Sequence, residues 1–323
     1  MQEFFIKLFE CLVKFNDFIF DPVDGLIERI SMPDWALDAV LDSVHMLGFL
    51  FVVFILIELI EFFWSGKMYK IVKASKKSGP LLGGLAASVP QCGFSIIAST
   101  LYTKRLITRG TLIAVYISTS DEAIPVLLSE PDKISFIIPL IFTKIAIALA
   151  AGYCVDLLFK PDEPAPAEKA ANEPESEQDQ PGCCHHEVYR PRKRDLLIHP
   201  LVHTLNVFVF VLLITLLINF GVYKAGGEEN IGQFFLSDTV FQPVIMAIFG
   251  LIPNCAVSIA ITLMLMKGAI GFGSAVAGLC SGAGLGLLVL YKKNSSLKDS
   301  LKITGILLLI SIIAGILIQT FYY

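Results

Sequence analysis

Long apolar runs alternate with short polar breaks along the chain. Runs at about 40–64, 110–129, 135–159, 197–221, 269–291 and 301–321 are each long enough to predict a helix that crosses a bilayer. Two further apolar stretches, about 80–103 and 239–266, are each interrupted by a proline, an amide and a cysteine: Pro90, Gln91 and Cys92 in the first, Pro253, Asn254 and Cys255 in the second. Proline removes a backbone donor and breaks the helix. The freed polar groups are tolerated at membrane depth only where protein or water satisfies them. The first twenty residues, "MQEFFIKLFECLVKFNDFIF", carry Glu3, Lys7, Glu10 and Lys14 within an apolar pattern of helical period. This predicts an amphipathic helix on the membrane surface rather than a cleaved leader.

Charge placement decides how the two broken stretches run. Basic residues cluster at Lys67–Lys77, at Lys104, Arg105 and Arg109, at Arg190–Arg194, and at Lys292–Lys302. If both broken stretches enter the membrane and return, all four clusters share one face. The opposite face then takes Glu130, Asp132, Glu228, Glu229 and Asp238. The positive-inside rule therefore predicts re-entrant hairpins and a cytoplasmic position for the four clusters. Arms of about 11–13 residues span roughly half a bilayer.

Each half then reads span, hairpin, span, span, in opposite senses. The expected fold is an all-α polytopic membrane protein built as an inverted repeat, with ten membrane segments when half-spans are counted. Pro90, Cys92, Ser95, Ile96, Lys104, Ile107, Gly110, Ala114 and Ser118 align without gaps on Pro253, Cys255, Ser258, Ile259, Lys267, Ile270, Gly273, Ala277 and Ser281. The expected divisions are a surface helix at 1–32, a first repeat at 33–160, a linker at 161–195 and a second repeat at 196–323. The linker is rich in Pro, Ala and Glu, cannot bury a core, and is expected to be disordered and cytoplasmic.

A hydrophobic share of 55% excludes an ordinary soluble domain. The net charge of −4 adds little, because in a membrane protein placement matters more than the sum. Seven cysteines without regular spacing do not form a disulfide framework.

Two breaks related by inverted symmetry should meet near the midplane, where secondary transporters hold substrate. The arm after each break begins there with its N-terminus, which favours negative charge and thiolate. Gln91, Cys92, Ser95, Asn254, Cys255 and Ser258 are therefore candidate substrate-binding residues, with Cys280 as a third thiol. The competing reading is a pair of kinks whose cysteines only pack. Asp121 and Glu122 fall about ten residues into a span, and carboxylates at that depth point to ion or proton handling. Asp121 is assigned to the site and Glu122 to proton coupling. An ion pair between Asp121 and Lys144, itself within a span, is the structural alternative. Glu58 and Glu61 lie on one helical face and could extend a proton path, or simply reach the interface. Lys144 is placed in the same proton-coupling group. The candidate metal ligands are Cys92, Cys255 and Asp121, and more weakly Cys183, Cys184, His185 and His186 of the linker. His199 and His203 have chelating i, i+4 spacing, and His203 aligns with His45.

On "VPQCGFS", "STSDEAIP", "IPNCAVS" and the Cys/His-containing central loop, nearly the whole chain resembles a family of ten-helix heavy-metal exporters, whose members are labelled arsenic efflux permease-like or manganese transporter. The resemblance implies ten membrane segments and export of a cation or metalloid. The function expected is a secondary exporter of manganese(II) or a trivalent arsenical by alternating access, coupled to protons, in the inner membrane. No Gly-x-x-x-x-Gly-Lys-[Ser/Thr] motif is present, so no nucleotide hydrolysis is expected of the chain. Thiols would suit an arsenical, whereas Asp121, Gln91 and Asn254 would suit manganese(II). An organic anion or organoarsenical is the alternative substrate. A lipid pyrophosphate phosphatase is the alternative class, but it calls for arginines at the hairpin tips, where this chain has Pro-Gln-Cys and Pro-Asn-Cys. No cofactor and no nucleic acid are expected. The expected partners are the ion, the lipid bilayer and further copies of the chain in a homo-oligomer.

Overall fold

The computed structural model describes residues 27, 29, 32–47, 50–52, 54–55, 78–88, 93–119, 123–129, 131–159, 195–225, 239 and 241–321. Among these residues there are helices and turns and no strands. In chain order the helices are α1 (Asp34–Val52), α2 (Gly79–Ala87), α3 (Gly93–Thr103), α4 (Arg109–Ser118), α5 (Ala123–Leu128), α6 (Ile137–Leu158), α7 (Asp195–Ala225), α8 (Phe241–Gly250), α9 (Cys255–Met266), α10 (Phe272–Ser281), α11 (Leu285–Lys293) and α12 (Leu297–Phe321). Counting α4 with α5 and α10 with α11, six helical stretches among the described residues are apolar and long enough to cross a bilayer, and the chain is a multi-span membrane protein.

The two broken stretches are short helices, as their prolines require. α2, α3, α8 and α9 have 9, 11, 10 and 12 residues. At 1.5 Å per residue each is about half the hydrocarbon thickness. Two stretches expected as continuous spans, 110–129 and 269–291, are also broken. α4 stops at Ser118 and α5 restarts at Ala123. Pro125 explains the restart: its nitrogen cannot donate within a helix, so it sits in the first turn of α5. α10 stops at Ser281 and α11 restarts after Gly284, whose φ of 52° and ψ of −142° are open only to glycine.

The helix ends repeat. α2, α3, α4 and α6 end at Ala87, Thr103, Ser118 and Leu158, and α8, α9, α10 and α12 end 163 residues later in each case. The packing repeats at the same offset. Gly152 of α6 lies against Pro80, Gly110 and Ala114, so that an added Cβ would stand 2.7 Å from the Pro80 side chain. Gly315 of α12 lies against Pro243, Gly273 and Ala277 in the same way. Two three-helix bodies result: α2, α4 and α6, and α8, α10 and α12. Small residues bring their backbones into contact, which is how helices associate where apolar burial gives no advantage over lipid. Between the bodies, α3 packs on α11 and α9 packs on α5, again as counterparts.

α4 and α10 are buried from Gly110 to Ser118 and from Gly273 to Ser281, and they form the centre. α6, α7 and α12 are largely uncovered, presenting Ile138, Phe142, Leu157, Val209, Leu213, Leu309 and Leu317 outward as a lipid-facing surface. α6 and α12 run in opposite directions. Phe136, just before α6, stacks on Phe272 at the start of α10, and that same start is held by Gln319 near the end of α12. At the other extreme, Asp156 near the end of α6 accepts from Gly110 N at 2.8 Å and from Thr108 at 2.7 Å, capping α4. Beside it Arg109 pairs with Asp299 at the start of α12. Phe136 and Asp156 are twenty residues apart, about 30 Å of helix, which matches the hydrocarbon thickness.

Candidate functional site at the helix breaks

The described breaks are held in close contact with one another. The chain between α8 and α9 folds into tight turns, with Asn254 N donating to the Ile252 carbonyl at 2.8 Å. Asn254 is extended and its side-chain oxygen accepts from Ala256 N at 3.0 Å, so the amide caps α9. Gly250, where α8 ends, abuts the Gly278 carbonyl and the Ser281 hydroxyl of α10, leaving no space for a side chain. In the first half Ser118 donates to the Gly84 carbonyl at 2.6 Å, joining the end of α4 to α2.

Lys144 lies where α4 and α10 stop. Its ammonium donates to the Thr119 carbonyl at 2.5 Å and the Leu279 carbonyl at 3.1 Å, and the residue is 1% exposed. Both acceptors belong to helix C-terminal turns, where carbonyls lack intrahelical partners and the dipole favours a cation. One buried lysine therefore satisfies the broken ends of two spans from different halves. It stands eight residues from Phe136 along α6, about 12 Å into a helix roughly 33 Å long. Cys280, a buried free thiol, follows Leu279 directly. Nearby, the Ser99 hydroxyl is 2.6 Å from that of Tyr116 and 2.7 Å from the Gly286 carbonyl, to which Tyr116 also donates at 3.1 Å. These bonds fasten α3 and α4 to the start of α11, where a Cβ on Gly286 would lie 2.6 Å from the Ser95 side chain.

Of the residues selected from sequence, Lys144, Cys280 and Ser95 are brought to this junction, all buried. Asn254 is an exposed helix cap and Ser258 is half-buried on α9. Cys255 opens α9, but its side chain lies outside the described residues, as do those of His199 and His203. Gln91, Cys92, Asp121, Glu122, Glu58, Glu61, Cys183, Cys184, His185 and His186 also lie outside the described residues. Asp121 and Glu122 fall in the short link between Thr119 and α5. Among the described residues no group of three or more His, Cys, Asp or Glu is placed to hold a metal.

Sequence reasoning missed Tyr116, Ser99 and the two carbonyl acceptors. A signal for the side chains was present: Ser99, Tyr116 and Lys144 align at the 163-residue offset with Thr262, Leu279 and Leu307. The first half thus carries hydrogen-bonding side chains at two positions where the second carries leucine. A carbonyl leaves no such trace.

No curated protein and no solved structure matched the chain. Its residues 34–190 and 192–322 match the family described as "Putative, 10TM heavy-metal exporter". With short broken helices beside membrane-length ones and a buried cation between its halves, the chain belongs to that ten-span heavy-metal exporter family.

Proposed function

We propose that this chain exports a heavy-metal or metalloid ion by alternating access, coupled to protons, through the junction around Lys144. The observation that carries the reading is the buried ammonium held by the broken ends of α4 and α10. Intramembrane charge is expensive and is retained where ions or protons pass. The repeated helix ends, and the opposite directions of α6 and α12, support an inverted repeat with its site at the centre. Lys104, Arg105, Arg109, Lys298 and Lys302 mark the end at which α4 and α12 begin, which supports assigning that end to the cytoplasm.

Two ligand sets are available to the substrate. Cys92, Cys255 and Cys280 would hold a trivalent arsenical through sulfur. Asp121, Gln91 and Asn254 would hold manganese(II) through oxygen, with Glu122 carrying the exchanged proton. The ammonium of Lys144 at the junction also supports a second reading, an organic anion or organoarsenical, because positive charge there attracts an anion.

Competition between substrates in proteoliposomes separates these readings. Arsenical uptake that falls at least about tenfold in Cys92→Ser/Cys255→Ser assigns the site to sulfur. Manganese(II) uptake that survives this double substitution but is lost in Asp121→Asn assigns it to oxygen. Uptake of an organic anion alone favours the second reading.

A further inference from the structure

The two bodies touch at both ends of α6, and the two contacts occupy corresponding positions. At one end Arg109 of α4 pairs with Asp299 of α12 at 3.1 Å. Asp299 also accepts from Tyr102 at 2.8 Å and from Asn294 at 3.1 Å, and the Arg109 Nε donates to Tyr102 at 3.0 Å. At the other end the rings of Phe136 and Phe272 stack at 6.4 Å between centroids and 25° between planes. Phe272 follows Arg109 by 163 residues, and Asp299 follows Phe136 by the same interval. One repeat-related pair of positions is therefore filled by an ion pair at one end and by an aromatic stack about 30 Å away at the other.

We propose that these pairs are the two gates of the transport cycle, a polar gate of Arg109 and Asp299 and an aromatic gate of Phe136 and Phe272. This rests on the exporter reading for its purpose, though not for its geometry. Each body is joined internally by backbone-to-backbone glycine contacts, Gly110 with Gly152 and Gly273 with Gly315, and so moves as a unit. Lys144 bridges the bodies between the two ends and marks the level about which they rock. Rocking in one sense parts Arg109 from Asp299 and leaves the rings stacked; rocking in the other does the reverse. The two gates are both closed in this structure.

The chemistry of each gate suits its task. The ion pair is about one-fifth exposed on each side, so water can reach its charges when it parts. The stacked rings exclude water without a charge. Neither gate is a backbone contact, so each can part while the glycine contacts within a body hold.

Cys280 is the native reporter, buried beside the Lys144 bridge. A charged, membrane-impermeant thiol reagent is applied from either side of oriented vesicles holding the full chain, and modification of Cys280 is read by peptide mass spectrometry. Arg109→Asp is expected to speed modification from the Lys104 and Lys298 side about tenfold, and Arg109→Asp/Asp299→Arg to restore the slow rate. Phe136→Ala is expected to speed modification only from the opposite side. Should Arg109→Asp fail to insert, Arg109→Gln with Tyr102→Phe loosens the same gate more gently. Unchanged rates, or equal acceleration from both sides, would overturn the proposal. Because the assay needs no metal, sided modification without metal flux would sink the exporter reading alone, and flux without sidedness would sink the gates alone.

Discussion

Lys144→Met is expected to abolish metal flux and to lower the unfolding temperature of the purified protein in detergent. Methionine fills a similar volume but donates nothing. The Thr119 and Leu279 carbonyls would each lose a charge-assisted bond in a buried setting. An acceptor stranded in this way costs about 1–3 kcal/mol. The loss falls on the ends of α4 and α10, one from each half, which Lys144 ties together. Thermal unfolding and vesicle flux on the same preparation check both effects. Wild-type flux in a stable Lys144→Met protein would show that the bridge has no part in transport.

The second large effect is steric and should appear twice. Gly110→Leu places a side chain against the Gly152 carbonyl and the Asp156 carboxylate, and Gly273→Leu places one against the Gly315 carbonyl and the backbone of Gln319. Backbone cannot yield as a flexible side chain can, so each substitution should cost about 1–3 kcal/mol or more and push α4 from α6, or α10 from α12. Gly221 and Gly305 have open space where a Cβ would go, on α7 and α12 respectively. Leucine at either of those positions should leave folding unchanged. Monodisperse yield and unfolding temperature across the four variants test this. Equal tolerance at all four sites would contradict the two-body packing described above.

Much of this architecture is visible in the residues themselves. Apolar length marks the spans, and proline with a following amide marks the stretches that fold as short helices. The breaks in the central spans were harder to see. Hydrophobicity runs on through Leu112 to Leu128, and only Asp121, Glu122 and Pro125 hint at the interruption. In the second half the cue is Gly282 to Gly284, which reads equally as close packing until Gly284 is found at positive φ. The site was half legible. Lys144 stands out as an ionisable residue within a span, and Asp121 suggested itself as its partner. Thr119 and Leu279 accept from it through main-chain oxygens, which no residue type advertises. The same holds for Gly286, which two hydroxyls approach through its carbonyl. The gates were hidden for another reason: the 163-residue offset makes Arg109 and Phe272 counterparts, but only the fold shows that each meets the counterpart pair Asp299 and Phe136.

The most direct test of the central claim is ion accumulation in proteoliposomes containing only this chain, under an imposed proton gradient. Manganese(II) and a trivalent arsenical are offered separately, to the wild type and to Asp121→Asn and Lys144→Met. At least one ion should accumulate well above empty liposomes, collapse with the gradient and be lost in Lys144→Met, and manganese(II) accumulation should be lost in Asp121→Asn as well. No accumulation of either ion, or accumulation indifferent to both substitutions, would contradict that claim.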